Sequence, residues 1–140
     1  MLNSIISAFS FITTTMSFLG SGDGISTNKG ILSLDSSNFD HVISNNEFVL
    51  IKFYAPWCIH CKALRGEFEK AAQILATRNA DVIMAQVDVT VEKQLAMQNE
   101  IIGYPTIKFF KYGNGFDYTG GRSADEIVTW VLTKIRSSRE

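Results

Sequence analysis

Two cysteines and a histidine lie together in the segment APWCIHCKAL, residues 55–64, and these residue types can do chemistry. Cys58 and Cys61 are the only cysteines of the 140-residue chain, and His60 lies between them. The two sulfurs could form a redox couple, part of a metal site, or a pair of inert buried thiols. A structural zinc site needs four ligands, and the only other histidine is His41 in a different predicted helix, so metal binding is disfavoured.

The predicted secondary structure around the cysteines favours redox chemistry. The apolar run at 48–55 predicts a strand covered on both faces, which ends at Pro56, and an amphipathic helix follows from Cys58. The free amides and the dipole of a helix N-terminus would stabilise Cys58 as a thiolate, and a protonated His60 would add to this effect. Cys61 lies three residues on, on the same helical face and close enough to bridge. This arrangement predicts an exposed attacking sulfur and a more buried resolving one.

The composition indicates a single globular domain. Hydrophobic residues make up 46% of the chain and charged residues 19%, a balance that excludes wholesale disorder. The net charge of −1 argues against a nucleic-acid partner, because a phosphate-binding face requires a basic excess. No Lys/Arg cluster indicates an anionic membrane surface.

The order of predicted elements is β-α-β-α-β-α-β-β-α, which gives an α/β fold with a central mixed sheet flanked by helices on both faces. The strands fall near 31–34, 48–55 and 82–89, and a hairpin follows from 106. Ser123 and Glu126 have the spacing of a capping box before the closing helix.

The first residues differ in character from the rest of the chain. No charge occurs before Asp23, and Ile, Phe, Ser and Thr dominate, which predicts a secretory signal peptide over 1–21. This stretch lacks the basic start of such peptides, so a disordered N-terminus is the alternative. A polar, glycine-containing linker is expected over 22–30, and the folded domain over 31–137.

Three blocks in order, FYAPWCIHCKAL, GYPTIKFFKYG and YTGGRSADEIVTW, resemble the catalytic domain of the protein disulfide isomerase family, which has the thioredoxin fold. The resemblance implies that Cys58 is the nucleophile and that Cys61 resolves the mixed disulfide. It implies that His60 stabilises the Cys58 thiolate. It implies no cofactor beyond the Cys58–Cys61 disulfide itself.

The resemblance also assigns residues around the sulfurs. Pro105 would be cis and face them, and the backbone of Tyr104 would pair with an extended substrate. Arg122 would approach and lower the pKa of the resolving cysteine, and Trp57 would shield the sulfurs. From the residues alone, Pro105 is expected to be a trans residue that starts an edge strand, because X–Pro bonds are rarely cis. Arg122 could be a solvated charge, and Trp57 could equally be a packing residue.

The sequence departs from the family pattern at three places. Ile59 replaces the usual glycine after the first cysteine, where it would hold or crowd apolar substrates. Lys52 replaces a buried glutamate that accepts the resolving cysteine's proton, and Gln86 replaces that glutamate's lysine partner. We expect proton transfer at Cys61 to use water or a neutral Lys52; the alternative is a lysine whose amine reaches solvent. Gly66 replaces a helix-kinking proline, and we expect the helix to persist there.

The resemblance implies a thiol–disulfide oxidoreductase and isomerase of the endoplasmic reticulum lumen. Its substrates would be unfolded or partly oxidised polypeptides, with glutathione or a thiol oxidase as further redox partner. Two alternatives remain: a thioredoxin-like disulfide reductase, which a reduction potential would distinguish, and a weakly catalytic, substrate-binding chaperone module.

Overall fold

The computed structural model describes residues 25–140, which form six strands and four helices. The strands are β1 Ser26–Asn28, β2 Ile31–Ser33, β3 Phe48–Tyr54, β4 Ile83–Asp88, β5 Thr106–Lys111 and β6 Asn114–Asp117. The helices are α1 Phe39–Asn45, α2 Ile59–Thr77, α3 Lys93–Gln98 and α4 Ala124–Ser138.

All six strands form one mixed sheet in the order β1-β2-β4-β3-β5-β6. The strands β2 and β3 run parallel to β4, and the other neighbours are antiparallel. The apolar run of β3 therefore lies in the interior of the sheet, with its first six residues buried. The predicted α/β architecture with a central mixed sheet is confirmed.

Helices cover both faces of this sheet, as the alternation of strands and helices predicts. On one face, α2 and α4 pack Phe68 and Ile127 against Leu50 and Phe109 of the sheet. On the other face, α1 and α3 pack Phe39 and Leu95 against alternate residues of β3 and β4. Successive residues of a strand point to opposite faces, so β3 contributes to both apolar cores. No helix within residues 25–140 is long and apolar enough to cross a membrane.

The N-terminal part of the described chain contains one strand that the sequence did not predict. Residues 26–28 lie within the stretch 22–30 expected to be a linker, and they pair antiparallel with β2 as the edge strand β1. All three residues are exposed, so backbone pairing rather than apolar burial holds them to the sheet. The signal peptide predicted over 1–21 lies outside the described residues.

The segment that carries the two cysteines lies where β3 ends and α2 begins. Cys58 is the N-cap of α2, and Tyr54 is the last residue of β3. The helix runs unbroken through Gly66, as predicted, for 19 residues. Ser123 and Glu126 form the predicted capping box of α4.

Candidate active site

The two sulfurs lie together at the first turn of α2. The Cys61 backbone N–H donates a hydrogen bond to Cys58 Sγ at 3.3 Å, and Cys58 Sγ lies 3.9 Å from the carbonyl oxygen of Tyr104. Both cysteines are free thiols in the structure. Cys58 is 9% exposed and Cys61 4%, so both cysteines are buried, and the attacking one is the less buried of the two rather than exposed as expected.

The surroundings of the two thiols displace their pKa values in opposite directions. A hydrogen bond from the Cys61 side chain is the largest influence that lowers the pKa of Cys58, and the backbone amides of Cys61 and His60 act in the same direction. Burial raises the pKa of Cys61, and the neighbouring Cys58 raises it further. At neutral pH, Cys58 is therefore the sulfur that more readily becomes a thiolate.

His60 and Arg122 both lower the pKa of Cys58, but not in the way expected from the sequence. The His60 amide is among the groups that lower the pKa of Cys58, whereas its side chain is exposed at the surface. The positive charge of Arg122 also lowers the pKa of Cys58. The resemblance implies an action of Arg122 on Cys61 instead. Arg122 lies in an exposed turn and lines a cavity of about 270 Å³ together with Pro105 and Tyr118.

An apolar rim surrounds the sulfurs. The Tyr104–Pro105 peptide bond is cis, and the Tyr104 carbonyl oxygen lies close to Cys58 Sγ. The rings of Trp57 and Tyr104 meet edge to face, with their centroids 5.5 Å apart. Trp57 is 63% exposed and Ile59 79% exposed, so both are available to an incoming chain. Large exposed apolar side chains of this kind are typical of an interaction surface.

Behind the sulfurs, Lys52 is enclosed rather than solvated. Its residue is 2% exposed, and its ammonium nitrogen lies 5.2 Å from the ring centroid of Tyr54 and 5.1 Å from that of Phe68. Burial lowers the pKa of Lys52 to about 8. Its cross-strand neighbour on β4 is the neutral Gln86, whose amide donates to Ser33 Oγ at 3.1 Å.

A cavity of about 290 Å³ joins Lys52 to the resolving cysteine. Cys61, Lys52, Arg65 and Glu69 all line it. Arg65 and Glu69 are charged residues of this cavity that sequence reasoning missed. Their positions on the helix gave one clue, because Cys61, Arg65 and Glu69 follow at four-residue intervals and so lie along one face. Within residues 25–140, no group of three His, Cys, Asp or Glu side chains could hold a metal ion.

Comparison with known proteins agrees with this geometry. The thioredoxin family pattern matches residues 30–133. Protein disulfide-isomerase of Drosophila melanogaster is 49% identical over 110 residues, which are 79% of this chain and 22% of the relative. Protein disulfide-isomerase 1 of Caenorhabditis elegans is 46% identical over 113 residues, 81% of this chain and 23% of the relative. The chain thus spans less than a quarter of the length of these relatives.

A solved structure agrees with the fold as well. The first thioredoxin domain of mouse protein disulfide-isomerase A4 superposes with a TM-score of 0.72 at 38% identity, and the match covers 78% of each chain. The predicted thioredoxin fold is thereby confirmed.

Proposed function

The chain belongs to the thioredoxin family, and on that premise we propose that it forms and rearranges disulfide bonds in folding polypeptides. One observation carries this proposal: Cys58 sits at the N-terminus of α2, where it accepts a hydrogen bond from the Cys61 amide and remains the more accessible sulfur. A thiolate in that position can attack or be attacked, while its neighbour three residues on completes the exchange.

In the oxidising direction, a substrate thiolate attacks Cys58 of the Cys58–Cys61 disulfide. A mixed disulfide forms, and Cys61 departs as a thiolate that takes up a proton. A second substrate thiolate then attacks the substrate sulfur of the mixed disulfide, so that the substrate gains a disulfide and the domain is left as a dithiol. In isomerisation, the Cys58 thiolate attacks a substrate disulfide, and Cys61 releases any substrate that stays attached.

The rim residues bind the substrate in this proposal. Trp57 and Ile59 supply apolar contact area, and the backbone of Tyr104, beside Pro105, pairs with an extended substrate segment. Arg122 favours the thiolate of Cys58 through its positive charge, and His60 favours it through its backbone amide. The redox-active cysteine pair is the only cofactor required, and unfolded or partly oxidised polypeptides are the substrates.

Lys52 is the proton carrier for Cys61 in this proposal. Its amine shares a cavity with the resolving cysteine, and its lowered pKa, about 8, places both protonation states within reach near neutral pH. The charged amine can protonate a departing Cys61 thiolate, and the neutral amine can accept the proton of the Cys61 thiol.

The direct test uses a substrate protein with scrambled disulfides, in a glutathione buffer, with the wild-type domain, Cys58→Ser and Cys61→Ser. We expect Cys58→Ser to abolish catalysis, because the attacking sulfur is gone. Cys61→Ser should accumulate mixed disulfides that resist release, detectable by mass spectrometry without reductant. Wild-type activity retained by Cys58→Ser would overturn the proposal.

Two measurements separate the alternatives. A reduction potential near that of the secretory-pathway glutathione couple supports oxidation and isomerisation, whereas a value near that of thioredoxin supports a reductase. Titration of the dithiol without turnover of a scrambled substrate would support a chaperone module. We further propose that the domain acts in the secretory pathway, where disulfides persist and to which the uncharged N-terminal stretch would direct it.

A further inference from the structure

An exposed apolar surface continues from the sulfurs along the loop that precedes Pro105. Ile102 on this loop is fully exposed, and Tyr104, two residues further on, is exposed as well. Because the ring of Tyr104 contacts that of Trp57, the surface runs from Trp57 to Ile102. A Cβ atom placed on Gly103 would meet no atom within 4 Å, so an incoming chain can approach the loop closely.

A pocket of about 240 Å³ lies between this loop and α3. The loop contributes Ile101, Ile102 and Tyr104 to its lining, and α3 contributes Ala96 and Lys93. Sites that take a whole small molecule measure about 300–1,000 Å³, so this pocket suits a single side chain. Since most of its lining is apolar, it favours a side chain such as that of leucine or phenylalanine.

A peptide joined to Cys58 lies within reach of this pocket. Cys58 Sγ is 3.9 Å from the carbonyl oxygen of Tyr104, so a chain held there by a mixed disulfide lies alongside Tyr104, which borders the pocket. Successive residues of an extended chain are about 3.3 Å apart and point to opposite sides. One side chain, one or two residues from the bound cysteine, can therefore enter the pocket.

We propose that Ile102 is a specificity-determining residue, which together with this pocket selects substrate segments that carry leucine or phenylalanine one or two residues from the reacting cysteine. The inference rests on the proposed exchange function of Cys58 and names the class of substrate that Cys58 attacks. The side chain of Ile102 is exposed in the free domain, so it buries apolar area only when a substrate covers it. The chemistry at the sulfurs stays the same, and only the contact with the flanking residue changes.

The test uses short peptides of serine and glycine around one cysteine, each oxidised to its symmetric disulfide. A single leucine occupies each position from three residues before the cysteine to three after it, and an all-serine peptide is the reference. In the reaction, the Cys58 thiolate of the reduced domain attacks one peptide sulfur, and the other peptide departs as a thiolate. Cys61 then loses its proton to water and displaces the bound peptide as a second thiolate, which closes the Cys58–Cys61 disulfide. Acid quenching and mass spectrometry give the second-order rate constant for each peptide.

In the wild type, leucine at one position, one or two residues to one side of the cysteine, should raise the rate constant about fivefold over the all-serine peptide. Ile102→Asn should reduce this gain to about twofold or less, because half of the apolar contact is lost, and should leave the all-serine peptide unchanged. Ile102→Leu should keep the gain.

Tyr112→Asn is the matched control. It also removes an exposed apolar side chain, but the Tyr112 amide bonds to the Glu47 carbonyl just before β3, whereas Cys58 follows the end of that strand. Asparagine tolerates the φ of 45° at this position. Tyr112→Asn should therefore change none of the rate constants.

Three outcomes would overturn the inference. An undiminished leucine gain in Ile102→Asn would show that the pocket is not used. An equal loss for every peptide, and for reduction of the oxidised domain by dithiothreitol, would show a structural effect of Ile102. A glutamate peptide that reacts faster than the leucine peptide would show that the pocket selects charge through Lys93. Failure of the proposed function is distinct, because the wild type would then react with no peptide disulfide faster than Cys58→Ser does.

Discussion

Two thiols on one turn of a helix behave differently because their surroundings differ. Cys58 receives a hydrogen bond from the Cys61 side chain and from backbone amides, all of which stabilise a negative sulfur. Cys61 lies deeper, where burial penalises the charged form. The asymmetry is useful for exchange chemistry, because the reachable sulfur is the reactive one and the hidden sulfur stays protonated until it is needed.

We therefore predict that alkylation of the reduced domain is selective for Cys58. Its rate should rise with pH around a midpoint below the ordinary thiol value of 9.0, because the lowered pKa gives more thiolate at each pH. Cys61 should remain largely unmodified over the same range. Iodoacetamide labelling followed by peptide mass spectrometry measures both sites at once.

Cys61→Ala provides the matched control for this measurement. It removes the side-chain hydrogen bond that contributes most to the lowered pKa, so the Cys58 midpoint should move upward while the backbone amides keep part of the effect. Preferential labelling of Cys61 in the wild type, or an unchanged midpoint in Cys61→Ala, would contradict this account.

At the scale of elements, α2 tolerates a glycine at a position where the family usually has proline. Gly66 lies in the helix interior, and a Cβ atom placed there would meet no atom within 4 Å. Nothing in the packing requires glycine, and its conformational freedom in the unfolded chain lowers the stability of the helix.

Replacing Gly66 with alanine should stabilise the domain by about 1 kcal/mol, because alanine loses less backbone entropy in a helix. Urea denaturation under reducing conditions measures the free energy of unfolding. Gly30→Ala is a sharp control: that position is equally open, but its φ of +80° is strained for any residue with a Cβ. It should destabilise the domain by about 1 kcal/mol. Equal shifts in the two variants would refute the argument.

The elements that the sequence predicts well are those with a strong apolar pattern. The runs that become β3 and β4 are apolar stretches typical of strands covered on both faces, and the run that becomes α2 repeats at helix spacing; all three have buried apolar residues in the structure. The strand β1 has no such pattern, since Ser26–Asn28 are polar and exposed and pair through the backbone alone. The cis bond before Pro105 was available only from the family resemblance, because an X–Pro bond is cis in about 5% of cases.

The active site, too, has one part that the sequence predicts and one part that it does not. The positions of Cys58 and Cys61 follow from a helix N-terminus and a three-residue spacing, both readable in the sequence. The cavity that joins Lys52 to Glu69 depends on how α2 packs across β3, and no spacing along the chain encodes that contact. Tertiary packing therefore supplies the part of the site that sequence reasoning missed.

At the scale of the whole molecule, Lys52 is an exception within an apolar interior. Between residues 25 and 140 it is the one buried charged side chain, and it lies in the central strand that both cores share. A buried ammonium weakens the folded state when it is charged, because its aromatic neighbours compensate only part of the lost hydration. The domain thus retains a destabilising group next to its resolving cysteine, in keeping with a functional role.

This cost gives stability a predictable dependence on pH. Folding lowers the pKa of Lys52 from 10.5 to about 8, so below pH 8 both states hold the proton and the penalty is fully present. Between pH 8 and 10.5 the unfolded chain holds a proton that the folded domain has released, and the free energy of unfolding rises with pH. Lys52→Met removes the ionisable group and should be more stable than wild type at pH 7 by roughly 2–3 kcal/mol.

The difference between wild type and Lys52→Met should shrink by about 2 kcal/mol between pH 7 and pH 9.5, since each unit above the folded pKa restores about 1.4 kcal/mol. Urea titrations of both proteins at several pH values, with the cysteines kept reduced, measure it. Tyr54, Tyr118, Cys58 and Cys61 also have displaced pKa values, but they are present in both proteins and largely cancel in the comparison. A difference independent of pH would mean that the Lys52 amine is solvated in the folded domain. The lysine could then no longer serve as the proposed proton carrier for Cys61.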